Sequence, residues 1–168
     1  LALEAFSGGA YDCRPAEGRV ERSPGHLALV GEASHDGTPG WWVGRIHPDD
    51  RPAWEAARAR VLAGGGSLFE ARYRVRHADG RWVPVWHRSL VQRDAAGQVV
   101  RMLGFVLDVS AEEAAKARAE LLAREMDHRV KNAFALVAGL VSASAADHPE
   151  AGEFADGLRA RLAALAAA

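Results

Sequence analysis

Two composition regimes meet near Ser110, and no single sheet or helical bundle absorbs both. Before it lie all five Trp, nearly all the Gly and Pro, and several runs of β-formers. After it the chain is rich in Ala, Leu, Glu and Arg, which are good helix formers, and almost free of Gly and Pro. A β-containing domain over 1–110 followed by long helices over 111–168 is the organisation this predicts. The 168 residues suffice for one medium domain or a small domain with an appendage. A hydrophobic share of 49% with a net charge of −1 excludes a disordered tail. The balance of 21 basic and 22 acidic residues argues against a nucleic-acid-binding face. A lone cysteine, Cys13, excludes an internal disulfide framework and a Cys-rich zinc site. The longest apolar run, Ala133 to Val141, is too short to span a bilayer. A cytoplasmic chain in a reducing compartment, without a membrane segment, is the expectation.

Leu68 to Arg76 alternates strictly. Phe69, Ala71, Tyr73 and Val75 fall on one face, and Glu70, Arg72, Arg74 and Arg76 on the other, as a half-buried antiparallel strand requires. Asp79-Gly80 follows as a hairpin signal, and Arg81 to Gln92 reads as the return strand. After Asp94-Ala95-Ala96-Gly97, the stretch from Gln98 to Val109 is apolar on both faces and is therefore expected at the centre of the sheet. Upstream, Gly9 to Cys13 and Arg19 to Arg22 form a shorter hairpin around Glu17-Gly18. Between hairpin and meander lie helical pieces: His26 to Val30, and Asp49 to Leu62. Asp49 and Asp50 are placed to cap the latter, and Pro52 is tolerated in its first turn. The order is β-β-α-α-β-β-β.

That order and the residues at its joints resemble a PAS domain with a PAC-type C-terminal half. The likeness rests on Gly9-Ala10-Tyr11-Asp12, Ser23-Pro24-Gly25-His26, His47-Pro48-Asp49-Asp50-Arg51, Phe69 to Arg74, Asp79-Gly80-Arg81-Trp82 and Gly104 to Ser110. The resemblance implies an α+β fold, a five-stranded antiparallel sheet with flanking helices, and a pocket between them. PAS domains bind haem, flavin or small metabolites, or dimerise with an empty pocket. A light-sensing LOV variant carries its reactive cysteine in a short helix after the first hairpin. Cys13 sits in the first strand instead, so covalent flavin photochemistry is not expected. Haem-binding members place an axial His in the long helix, and Arg51 to Leu62 has none. His47 reads as a turn residue, and His87 is left facing either pocket or solvent. Trp41, Trp42, Trp54, Trp82 and Trp86 serve equally as stacking partners for an aromatic ligand or as core filler. The sequence names no ligand for this domain.

From Glu112 the chain reads as helix for over thirty residues. At about 100° per residue, Leu122, Met126, Val130, Ala133, Val137, Leu140 and Ser144 form one narrow stripe, as in a helical bundle. Asp147-His148-Pro149 breaks the pattern, and Phe154, Leu158, Leu162 and Leu165 begin a second stripe. Two short amphipathic helices bury only one stripe each, so a homodimeric four-helix bundle is the expected form. His128 lies about 160° from the seam and is therefore exposed, sharing its face with Lys131 and Asn132.

Glu125-Met126-Asp127-His128-Arg129-Val130-Lys131-Asn132 resembles the phosphoacceptor box of sensor histidine kinases, closest to the HWE family and next to HisKA_2. Glu153 to Leu165 resembles the second helix of that dimerisation and phosphotransfer domain, truncated at Ala168. The resemblance implies that His128 is the phosphoacceptor. Asp127 or Glu125 is then the candidate acid/base, Arg129 and Lys131 candidate phosphate contacts, and Asn132 the candidate for positioning water. An ordinary imidazole titrates near pH ~6.5 and is a competent nucleophile at neutrality. The implied partner is a response-regulator receiver domain. ATP and Mg2+ would bind a catalytic domain outside this chain, so the fragment alone is expected to be inactive. The last strand joins the histidine helix at Ser110 without a flexible linker, a route for signals from sheet to helix. The competing reading is a PAS-coiled-coil interaction module in which His128 is never phosphorylated.

Overall fold

The computed structural model describes residues 8–147 and 152–167. They fall into two compact units, one ending at Glu113 and the other beginning at Ala114.

The first unit is built on β1 (Gly8–Arg14), β2 (Arg19–Arg22), β3 (Leu68–Arg76), β4 (Trp82–Arg93) and β5 (Val99–Asp108). All neighbours pair antiparallel in the order β2-β1-β5-β4-β3. β5 takes the central place that its apolar character on both faces predicts. Its two faces are not equivalent: Met102 and Val106 are buried, whereas Leu103, Phe105 and Leu107 on the other face are only half-buried. The alternation of β3 is realised, with Phe69, Tyr73 and Val75 inside and Glu70, Arg72 and Arg76 outside.

Three helices, not two, lie between β2 and β3: α1 (Pro24–Ala28), α2 (Pro39–Val43) and α3 (Arg51–Leu62). Leu29, Val30, Trp42, Ile46, Trp54 and Val61 from this stretch join the strand residues in one core. The unpredicted helix, α2, starts at a Thr-Pro step, where the Thr38 hydroxyl accepts from the Trp41 amide at 3.3 Å and Pro39 occupies the first turn. α1 begins two residues before the expected His26 because the Ser23 hydroxyl caps it, accepting from the His26 amide.

The capping expected of Asp49 and Asp50 does not occur, since α3 has no side-chain cap. The Asp50 carboxylate instead accepts from the Arg74 amide at 2.9 Å and from its guanidinium at 2.8 and 2.7 Å. A charged, bidentate partner outcompetes a neutral amide for the same oxygens.

α4 (Ser110–Asp147) opens with the Asp108 carboxylate accepting from the Ser110 amide at 2.8 Å, and its first turn belongs to the first unit. There Val109 is buried, and Glu112 lies 3.4 Å from Arg72. α4 runs to Asp147 and α5 spans Gly152–Ala167; the His148-Pro149 part of the expected break lies outside the described residues. In the second unit the expected stripe is uncovered, with Leu122, Met126, Val130, Val137 and Leu140 all exposed. The shielded positions of α4 are instead Phe134, Ala138, Val141, Ser142 and Ala145. On α5, Ala155 is buried and Leu158 and Leu162 are half-buried, whereas Phe154 and Leu165 of the expected stripe are exposed. Arg159 donates to the Ser142 hydroxyl at 3.0 Å, tying the two helices together. Small Ala138, Ser142, Ala145 and Ala155 lie among these shielded positions beside Phe134, Val141, Leu158 and Leu162, while the expected stripe faces outward.

Candidate functional site

Between the sheet and its helices lies a cavity of about 120 Å³. Two close approaches shape it. A Cβ on Gly9 would fall 1.9 Å from the His26 backbone nitrogen, so glycine there lets α1 seat on β1 and carry His26 inward. A Cβ on Gly104 would sit 2.6 Å from the Tyr11 ring, so glycine there clears space for that ring over β5.

The deepest wall is a hydrogen-bonded chain whose direction follows from donor counting. The Trp42 indole can only donate, and it does so to the Tyr73 hydroxyl at 2.8 Å. The Tyr73 O–H therefore points on to His87 Nδ1 at 2.7 Å. A neutral imidazole with Nδ1 accepting carries its proton on Nε2, which donates to the Tyr11 hydroxyl oxygen at 2.9 Å. Burial holds the ring in this neutral form by lowering the His87 pKa to about 3, and raises Tyr11 to about 12 and Tyr73 further still. His87 thus faces the cavity. Its parity already indicated this, because it is in phase with the buried Val83, Val85, Ser89 and Val91 of β4.

His26 was not singled out as a site residue by sequence, yet it is 2% exposed and lines the same cavity. It packs edge-on against Trp42 at 4.4 Å between ring centroids, and neither ring nitrogen has a hydrogen-bond partner. Burial depresses its pKa to about 3. The Trp54 indole N–H is likewise buried and unpartnered. Cys13 is buried in β1 on the cavity wall, and desolvation pushes its thiol up. The five Trp divide their roles. Trp42 and Trp54 line the cavity, Trp41 lies under the Arg45 guanidinium at 3.9 Å, and Trp86 sits outside, bonded to Glu70 at 3.0 Å. Trp82 meets His47 at 4.3 Å, and His47 serves its turn by accepting from the Asp49 amide at 3.2 Å.

On α4, His128 is exposed, as its helical phase requires. Its Nδ1 lies 3.2 Å from the Asn132 side-chain amide, one turn on. Glu125 and Asp127 do not meet the imidazole; they pair along the helix with Arg129 at 2.6 Å and Lys131 at 2.9 Å. These two i,i+4 pairs flank the ring and occupy both candidate carboxylates and both candidate phosphate contacts. Among the described residues, no group of three or more His, Cys, Asp or Glu is arranged to hold a metal ion. No described helix is long and apolar enough to cross a membrane.

Comparison with known proteins agrees with this division. Residues 19–106 match the family model described as PAS fold, and residues 125–168 match that of HWE histidine kinase. The chain is 34% identical over 101 residues to a blue-light-activated histidine kinase of Brucella anthropi, covering 56% of this chain and 20% of the relative. It is 29% identical over 149 residues to the sensor protein FixL of Bradyrhizobium diazoefficiens, covering 83% of this chain and 28% of that one. The chain therefore spans less than a third of either relative's length. Among solved structures, a sensory box histidine kinase/response regulator from Burkholderia thailandensis superposes with a TM-score of 0.60 at 26% identity. That match covers 74% of this chain and 94% of the other. This chain belongs to the PAS fold family, and its residues 125–168 are similar to the HWE histidine kinase family.

Proposed function

We propose that this chain is the sensory and phosphoacceptor part of a two-component kinase that autophosphorylates on His128 and passes the phosphoryl group to a response-regulator aspartate. The observation that carries this reading is an exposed imidazole on a continuous helix, inside the stretch that matches the HWE family. With the Asn132 amide turned so that its oxygen accepts from Nδ1–H, the lone pair resides on Nε2, which becomes the nucleophile. Asn132, rather than the acid/base candidates Asp127 and Glu125, is then the residue that sets the tautomer. Nε2 attacks the γ-phosphorus of ATP, and the N–P bond forms as the bond to the β,γ-bridging oxygen breaks. ADP departs and the ring sheds a proton to solvent. Mg2+ and the ATP-binding domain, outside this chain, would neutralise the developing charge. In the second step the ring takes a proton back from solvent, and the N–P bond breaks as the receiver carboxylate forms its O–P bond, leaving neutral imidazole. Opening of the flanking ion pairs would free Arg129 and Lys131 for the phosphoryl oxygens.

The uncovered stripe from Leu122 to Leu140 supports a homodimer, with a second copy burying these side chains. The test is incorporation of labelled phosphate from ATP into the full-length natural protein beside a His128→Gln control. Acid-labile, base-stable label that disappears in the control is expected. Label that persists moves the acceptor elsewhere, and no label in either folded protein favours the interaction module.

A further inference from the structure

We propose that the Arg58 side chain is a swinging gate between the sensory cavity and an open cleft beside the C-terminal end of α3, and that small molecules reach the cavity past it. The cleft has a volume of about 530 Å³ and is bounded by Pro15, the last turn of α3, Arg93 and the β4–β5 turn. Among the described residues, Arg58 is the one that lines both the cleft and the cavity. Its half-buried side chain is therefore the partition between them.

The frame around that partition is tied down. The Arg93 guanidinium donates to the Leu62 carbonyl at 3.3 Å and to the Gly97 carbonyl at 3.0 Å, which clamps the end of α3 to the β4–β5 turn. Arg22, the other arginine of the cavity lining, is held by His35 at 3.1 Å and the Thr38 carbonyl at 2.9 Å. Arg58 has no hydrogen-bond or ion-pair partner among the described residues. It lies 5.8 Å from the Trp54 ring, near the outer limit of cation–π attraction. Its swing therefore breaks no hydrogen bond. Turned inward, the apolar stem covers the cavity wall, but the guanidinium meets a lining without Asp or Glu. Turned outward, the charge gains water and the wall loses its cover. Packing and desolvation thus oppose each other, which gives the side chain two populated positions. With the gate shut the cavity measures about 120 Å³, and with it open cavity and cleft are continuous. The inference concerns the sensory unit and stands apart from phosphotransfer at His128.

Cys13, the chain's one cysteine, is 6% exposed in the cavity wall and serves as the reporter. The whole native chain is treated with methyl methanethiosulfonate, a small neutral thiol reagent, and Cys13 labelling is followed by mass spectrometry. Arg58→Ala removes the partition, whereas Arg58→Met keeps an apolar one of similar length. Both variants lose the charge that lowers the Cys13 pKa, so the pair differs in access and not in thiolate content. Arg58→Ala should label at least tenfold faster than Arg58→Met. Labelling of the wild-type chain should be insensitive to urea below the unfolding transition, because a side-chain swing exposes little surface. That second criterion holds even where a variant is unstable. Equal rates for the two variants would overturn the gate. So would wild-type labelling that climbs steeply with urea, as access through local unfolding does.

Discussion

The sensory unit hides its polar groups and the helical unit displays them. Val30, Val75, Val83, Val85 and Val106 are fully buried around a cavity in which even two histidines are nearly inaccessible. In α4, by contrast, Leu121, Met126 and Leu136 are each more than 60% exposed, and His128 shares that exposure. A sheet covered by helices closes its own core, whereas a pair of helices has too little surface to do so. Chemistry in the first unit is accordingly governed by desolvation and by hydrogen bonds locked in direction. In the second the polar groups stand in solvent, where the phosphotransfer proposed for His128 would meet its partners.

The largest effect that would test this contrast is at His128. Replacing it with Gln is expected to abolish acid-labile phosphate in the full-length protein while moving unfolding free energy by no more than about 0.5 kcal/mol, as for other exposed positions. Urea unfolding measured beside the labelling assay separates the two. A comparable loss of stability would show that the helix face is not free.

Next is Phe69→Ala in the sensory core, where a buried ring contacts Trp54 at 6.1 Å and His87 at 4.9 Å between centroids. A loss of about 3–5 kcal/mol is expected, visible in near-UV circular dichroism and denaturant midpoint. A loss below about 1 kcal/mol would mean the cavity collapses around the truncation.

Acid should weaken the sensory unit through its histidines. His26 and His87 have folded pKa values near 3 because burial disfavours the imidazolium, against about 6.5 in the unfolded chain. Above pH ~6.5 both states are neutral and stability is fully present. As pH falls below that value the unfolded chain takes up protons that the folded one refuses. Each histidine then costs about 1.4 kcal/mol per pH unit until roughly pH 3. His26→Phe should lower the slope of stability against pH between 6 and 5 without abolishing it, since His87 and the depressed His35 remain. An unchanged slope would assign the acid sensitivity elsewhere.

Smallest in stability is the exposed stripe. Met126→Ser combined with Leu140→Ser should leave the urea midpoint of the sensory unit in place but shift sedimentation from dimer toward monomer. A dimer that survives both changes would place its interface outside α4.

Much of this architecture was legible in the sequence because local rules and tertiary demands coincide. The alternation of β3, the hairpin at Asp79-Gly80 and the two-sided hydrophobicity of β5 are each enforced by burial on a pleated sheet. His128 was legible for the opposite reason, since a solvent-facing helix position follows from helical phase alone. Legibility failed where one side chain had two possible partners. Asp50 satisfies a capping rule but binds Arg74, and Asp127 stands beside His128 in sequence but reaches Lys131 along the helix. It failed again on α5, where the apolar period alone did not distinguish Ala155 from Phe154.

The sequence by itself determined the β-then-helix division, the strand set and the exposure of His128, because these depend on period and propensity over neighbouring residues. Only the tertiary structure decided that Gly9 and Gly104 bring His26 and Tyr11 into one cavity with His87, or that Arg58 is left without a partner there. Those relations join residues up to 93 apart, Tyr11 and Gly104, and they are set by steric fit and desolvation across elements, which no local pattern encodes.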